Sequence, residues 1–187
     1  MNKPQSFDLQ EHRARLCRLV DLRLDNRVRG RVDASDVIQE TQIEALERAE
    51  EFFAQPEEKQ VPLFVWLRFL ALQKVSQVHR RHLGTQARDA TREVSMFQNR
   101  LPAATSAALA AQLVGKLTTA SQAAVREEVR SKVEQALNEM NETDRSVLML
   151  LHFEQLTHKE AAAVLEIGEK ALGGRYVRAL ARLKKKL

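Results

Sequence analysis

The C-terminal stretch constrains this chain most. From Thr157 to Leu187 it reads Thr-x-x-Glu, a run of alanines, a break containing Gly168, and then GGRYVRALARLKKKL. Thr157 and Glu160 predict a capping box, which fixes where a helix begins. The segment that follows, HKEAAAVL, is short, and its alanines let a neighbouring helix approach closely. A turn is expected over Glu166–Glu169. Beyond it Leu172, Tyr176, Leu180, Leu183 and Leu187 recur at steps of three or four, which predicts a buried stripe. Lys170, Gly174, Arg175, Arg178 and Arg182 then face outward. No acid follows Glu169. A helix-turn-helix whose second helix carries only positive charge points to DNA.

The rest of the chain also reads as helix. Ala, Leu, Val, Gln, Glu and Arg dominate, aromatics are 5%, and no Val/Ile/Thr run alternates at period two. The expectation is an all-α chain of two small helical domains joined by a linker, the C-terminal one a helix-turn-helix. At 187 residues, with 44% hydrophobic content, each domain can bury its own core. The net charge of +5 is unevenly placed. Asp33–Glu58 is acidic and Arg68–Arg92 basic, which suggests partners of opposite charge. Cys17 is the only cysteine, so a disulfide framework and a thiolate metal cluster are excluded. No apolar run approaches a membrane span and the N-terminus is polar, so a cytoplasmic protein without a signal peptide is expected.

In chain order, Phe7–Arg29 predicts a first amphipathic helix. Leu9, Leu16, Val20 and Leu24 lie on one side, with Arg13, Arg15, Arg18 and Arg23 elsewhere. Cys17 reads as an inert buried thiol and Gly30 as the stop. Asp33 predicts the cap of a second helix, with Asp36 near its positive end. Ile38, Ala45, Ala49 and Phe52 form its inward stripe. Asp36, Gln39, Glu40, Ile43, Glu44 and Glu47 form a mostly acidic second surface, and Ile43 among the acids suits a protein interface better than plain solvent.

After a break at Gln55–Val61, Leu63 to about His82 predicts a third helix. Phe64, Leu67, Ala71, Val75 and Val78 make its buried stripe. Its basic half carries Gln73, Lys74, Gln77, Arg80 and Arg81, and glutamine, lysine and arginine are what phosphates and base edges require. Trp66 and Phe69 could stack unpaired bases, but core packing is the favoured reading for both. His79 and His82 read as contacts to phosphate or solvent. Gly84 to about Ser131 is rich in Ala, Ser and Thr, is interrupted by Pro102 and Gly115, and reads as a linker. Val129–Leu137 opens the second domain, and Asn141–Asp144 caps a helix dense in large aliphatics.

These segments, in this order, resemble the extracytoplasmic-function class of bacterial sigma factors. DASDVIQET with FVWLRFLA, and LTHKEAAAVL with RYVRALARL, carry the resemblance. It implies a region 2-like domain over residues 1–97, a linker over 98–125 and a region 4-like domain over 126–187. It further implies that Asp36, Gln39, Glu40 and Ile43 dock on the clamp of the RNA polymerase β′ subunit. Arg68, Gln73, Lys74, Gln77, Arg80 and Arg81 would grip the −10 element in single-stranded form. Lys170, Gly174, Arg175, Arg178 and Arg182 would read the −35 duplex, with the β flap as a further contact. An anti-sigma factor is an expected regulator, and the free protein is expected to be a monomer without cofactor, metal or membrane contact.

The sequence departs from the family pattern in three places. Glu166 stands where the turn normally has glycine. Gly173 and Gly174 stand where lysine or serine is common, and the usual asparagine of the −10 helix is missing near Gln73 and Lys74. Two rival readings remain. One is a stand-alone helix-turn-helix regulator that binds palindromic DNA as a dimer without polymerase. The other is a helical scaffold with a solvated basic tail. An enzyme fits least, since no HExxH, phosphate-binding glycine loop, nucleophile elbow or cysteine–histidine set occurs.

Overall fold

The computed structural model describes residues 9–83, 101–114 and 123–187, with the side chains of 114 and 123–126 excepted. Every described element is helical. The helices are α1 (Leu9–Arg23), α2 (Ala34–Glu47), α3 (Ala49–Phe53), α4 (Leu63–Leu83), α5 (Ala103–Val114), α6 (Ala123–Asn138), α7 (Glu142–Leu148), α8 (His158–Val164) and α9 (Glu169–Lys184). A 3₁₀ turn spans Glu57–Lys59, and a π-helical turn continues α7 over Met149–Phe153. The chain divides into two compact units, Met1–Asn99 and Arg100–Leu187.

In the first unit α1, α2 and α4 pack on one another. Asp33 caps α2 by accepting from the Ser35 N–H at 3.1 Å. Pro62 opens α4, its carbonyl accepting from the Val65 N–H at 2.8 Å. The stripe read from α4 is the core: Phe64, Leu67, Ala71, Val75 and Val78 are all buried. Ile38, Ala45, Ala49 and Phe52 face them. Trp66 is buried as well and stacks on Phe52 with ring centroids 4.3 Å apart.

Several expectations for this unit are corrected. The first helix ends at Arg23, not at Gly30. Past Arg23 the chain turns so that Leu24 and Val28 enter the core. The Asp25 N–H donates to Nε2 of His79 at 3.0 Å instead of continuing the helix. Arg23 is itself buried rather than set apart from the apolar stripe. His79 is a core histidine at 3% exposure, not a phosphate or solvent contact. Cys17 is half-buried and accepts from Arg13 at 3.5 Å. Phe69 is not in the core but 51% exposed, because it projects from α4 opposite Leu67 and Ala71.

In the second unit α5 packs on α6, and α7 and α8 pack on α9. Pro102 starts α5 by accepting from the Thr105 and Ser106 N–H groups, each at 3.0 Å. Leu101, Leu109 and Leu113 are buried within this unit. The stretch read as a linker thus holds a packed helix between Pro102 and Gly115. The capping box forms at Thr157: its hydroxyl accepts from the Glu160 N–H at 3.2 Å, and the Glu160 carboxylate accepts from the Thr157 N–H at 2.8 Å. Asn141 caps α7 by accepting from the Asp144 N–H at 2.9 Å.

The turn between α8 and α9 keeps a left-handed residue although no glycine supplies it. Glu166 takes φ 52°. The Ile167 N–H reaches the Ala162 carbonyl at 3.0 Å and the Glu166 N–H that of Ala163 at 3.3 Å. Those two bonds are a Schellman motif, with Glu166 in the position that favours glycine. Gly168 caps α9 from extended backbone instead. On α9 the buried residues are Leu172, Ala179 and Leu183, whereas Tyr176, Leu180 and Leu187 are half-buried, which corrects the expected stripe. Tyr176 sits at the edge because its hydroxyl hydrogen-bonds Nε2 of His152 at 3.1 Å.

Candidate nucleic-acid and partner interfaces

Among the described residues, the helix faces expected to meet partners lie on α2 and α4 in the first unit and on α9 in the second. On α2, Asp36, Gln39, Glu40 and Glu47 are exposed, and Ile43 is 58% exposed among them. Leu46, three residues beyond Ile43 and 62% exposed, adds a second apolar group that sequence reading passed over. Its signal was the three-residue step from Ile43, which the apparent inward periodicity of α2 masked. Glu44 does not share the outward surface. It pairs with Lys74 of α4 at 2.7 Å and Arg48 at 3.3 Å, and the Lys74 hydrogen bond leads the causes that hold its carboxyl below the usual range.

That pair also decides where Lys74 goes. Of the α4 residues assigned to DNA, Arg80 and Arg81 are exposed and Gln73 and Gln77 half-buried. Lys74 is half-buried against Glu44, with its side chain only 16% exposed. Arg68 is buried. The outward face of α4 is therefore Phe69, Gln73, Ser76 and Arg80, which share one side at helical spacing. Arg80 donates to the Ser76 hydroxyl at 3.3 Å, which holds the guanidinium along the helix. His79, next to Arg80 in the chain, is turned into the core instead. Burial lowers its pKa and the neighbouring Arg27 adds to this, against the charge of Asp25. Asp25 is itself lowered to about 2, chiefly by its hydrogen bond from Arg27.

In the second unit α9 presents the third face. Lys170, Arg178 and Arg182 are exposed, and Gly174 and Arg175 half-buried. Val177, 65% exposed, stands on the same side as Lys170, two turns away, and was missed from the sequence. Arg182 is divided between roles. Although 56% of its side chain is exposed, its guanidinium hydrogen-bonds the carboxylate of Asp144, whose side chain is 6% exposed. Burial alone would raise the Asp144 pKa. Hydrogen bonds from Arg182 and Asn141 and the charge of Arg178 outweigh it and bring the pKa below the usual value. The α9 face is thus anchored to α7 at one end and to the π-helical turn, through Tyr176 and His152, nearer its start. This geometry offers a rigid cationic helix rather than a flexible basic tail.

Among the described residues no group of three or more His, Cys, Asp or Glu could hold a metal ion. Among the same residues no helix is long and apolar enough to cross a membrane.

Comparison with known proteins bears on the second unit most directly. Residues 130–183 match the family model described as sigma-70, region 4. The matched span runs from α6 to near the end of α9 and so includes the capping box, the left-handed turn and the basic helix. No curated protein matches the sequence. Among solved structures, the sigma factor RpoE in complex with the anti-sigma factor NepR from Bartonella quintana aligns over 95% of this chain and 94% of that one, at 18% identity and a TM-score of 0.45. The family match is thus confined to residues 130–183, which are similar to sigma-70 region 4.

Proposed function

We propose that this chain is a sigma factor of the extracytoplasmic-function class, which binds core RNA polymerase and directs promoter-specific initiation from the cytoplasm. The observation that carries the proposal is a rigid basic helix, α9, presented by a region 4 domain. In this reading α9 enters the major groove of the −35 duplex. Lys170, Arg175 and Arg178 supply the contacts there, and Gly174 allows close approach. The exposed part of α4, with Gln73, Gln77, Arg80 and Arg81, grips the −10 element. Arg68 and Lys74 support that helix from within rather than touching DNA, in keeping with their burial. Asp36, Gln39, Glu40 and Ile43 on α2 dock on the β′ clamp, and region 4 contacts the β flap. Residues 1–97 act as region 2 and residues 126–187 as region 4. Neither half need bind DNA tightly alone, since attachment to polymerase raises its effective concentration. The polymerase performs the chemistry, and an anti-sigma factor is the expected regulator.

The dimeric regulator reading predicts palindromic DNA binding without polymerase and leaves the α2 face unused. The test is transcription by purified core RNA polymerase from the promoter upstream of this chain's own operon, with and without the protein. Added protein should bind core and yield a discrete transcript. Absence of core binding, with no transcript above core alone, overturns the proposal. Asp36→Arg and Gln39→Ala should each weaken core binding while leaving the helical signal intact, because both side chains are exposed.

A further inference from the structure

Val177 is the one large apolar side chain of α9 that stands exposed, at 65%. Its surroundings set it apart from a stray surface valine. Lys170 and Gly174 share its side of the helix, and Ala181 continues that side one turn on. A Cβ at Gly173 would meet nothing within 4 Å, and one at Gly174 would lie 3.3 Å from Nη1 of Arg178. The Arg178 guanidinium therefore folds back over Gly174. The face consists of the Val177 methyls, bare backbone at Gly173, the Gly174 backbone beneath the mobile end of Arg178, and the cations of Lys170 and Arg178. No acid lies between Lys170 and Leu187, so the charge complement is a polyanion.

Valine has no hydrogen-bonding group, so it cannot read a donor or acceptor. The one apolar group that the major groove offers is the 5-methyl of thymine. A valine is short, and it reaches a base edge only if its helix sits deep. Glycines on the same face permit that depth because they carry no side chain to stand the backbone off.

We propose that Val177 is a specificity-determining residue that reads the 5-methyl group of a thymine in duplex DNA, and that Gly173 and Gly174 provide the close approach it needs. This rests on α9 being the DNA-reading helix, as proposed above.

The test uses the full-length chain bound to core polymerase. Duplexes are selected from a library randomised over the upstream promoter element, and in the most enriched duplex each thymine is replaced in turn by deoxyuridine, which lacks only the methyl. One position should lose affinity by about fourfold, as expected for burial of one such group. Val177→Ala should erase that loss and leave the salt dependence of binding unchanged. Gly173→Leu, which would hold the helix away, should erase it as well. If no thymine responds to loss of its methyl, or the response survives in Val177→Ala, the inference is overturned while α9 remains a DNA-reading helix. An unchanged response in Gly173→Leu overturns the close-approach half. If no duplex is enriched at all, the DNA-reading role of α9 fails, and this inference with it.

Discussion

Glu166 offers the most direct test of how this chain builds its turn. Its φ of 52° is left-handed, and the Schellman hydrogen bonds from Ile167 and Glu166 hold it there. A side chain in that region costs roughly 1–2 kcal/mol through the clash of Cβ with the carbonyl that follows. Glu166→Gly removes the clash. It also loosens the unfolded chain, at a cost of about 0.5–1 kcal/mol. The balance is a gain of roughly 0.5–1 kcal/mol, or about 3–6 °C for a domain of this size. Glu166 is exposed, so the substitution leaves no cavity. The control is Glu166→Ala, which keeps a Cβ at the same φ and should leave the midpoint near that of the parent chain. The assay is thermal unfolding of all three full-length proteins, followed by circular dichroism at one buffer and scan rate. A Glu166→Gly midpoint no higher than that of Glu166→Ala would falsify the strain argument, because the only difference between them is the Cβ.

Two further outcomes separate DNA contact from structural support and fix a pH dependence. Arg178→Ala should cost less stability than Arg182→Ala, because Arg178 acts on Asp144 only through its charge, and lower the salt slope of DNA binding by about one unit, read from affinity titrations at several salt concentrations. Arg182→Ala, by contrast, removes the partner of buried Asp144, so its midpoint should fall by the equivalent of about 1 kcal/mol, with solvent screening of the exposed guanidinium taken into account. In the first unit His79 is neutral when folded, and its pKa is lowered by burial. The unfolded chain therefore takes up the proton first as pH falls. The stability contributed by His79 is full above its unfolded value near 6.5 and is lost as pH drops from there through the lower folded value. Denaturant titrations between pH 8 and pH 5 should show that slope, and His79→Gln should flatten it.

Much of the fold was legible because helical periodicity is a local property. The α4 stripe, the Asp33 and Asn141 caps and the Thr157–Glu160 box each follow from residues within a turn or two of one another. The outward acidic side of α2 and the basic character of α9 were legible for the same reason. Two departures from that reading turn on partners distant in the chain. His79 looked like a phosphate contact until the Asp25 N–H claimed its ring nitrogen across 54 positions. Arg182, expected on the DNA-facing side, also gives its guanidinium to Asp144, 38 positions away.

What the sequence determined alone is therefore the inventory: helices, their caps, a basic helix after a turn, and a resemblance carried by short motifs in a fixed order. The tertiary structure decided how that inventory is divided between interior and surface. Pairing with Glu44 of α2 withdrew Lys74 and packing within the first unit buried Arg68, leaving Gln73, Arg80 and the unexpected Phe69 outward. Packing against α7 anchored Arg182 and left Lys170, Arg178 and Val177 free to face a ligand. The physical reason is one of range. Backbone hydrogen bonds and side-chain periodicity act over a few residues, whereas burial and ion pairing are set by whichever helix arrives from elsewhere in the chain.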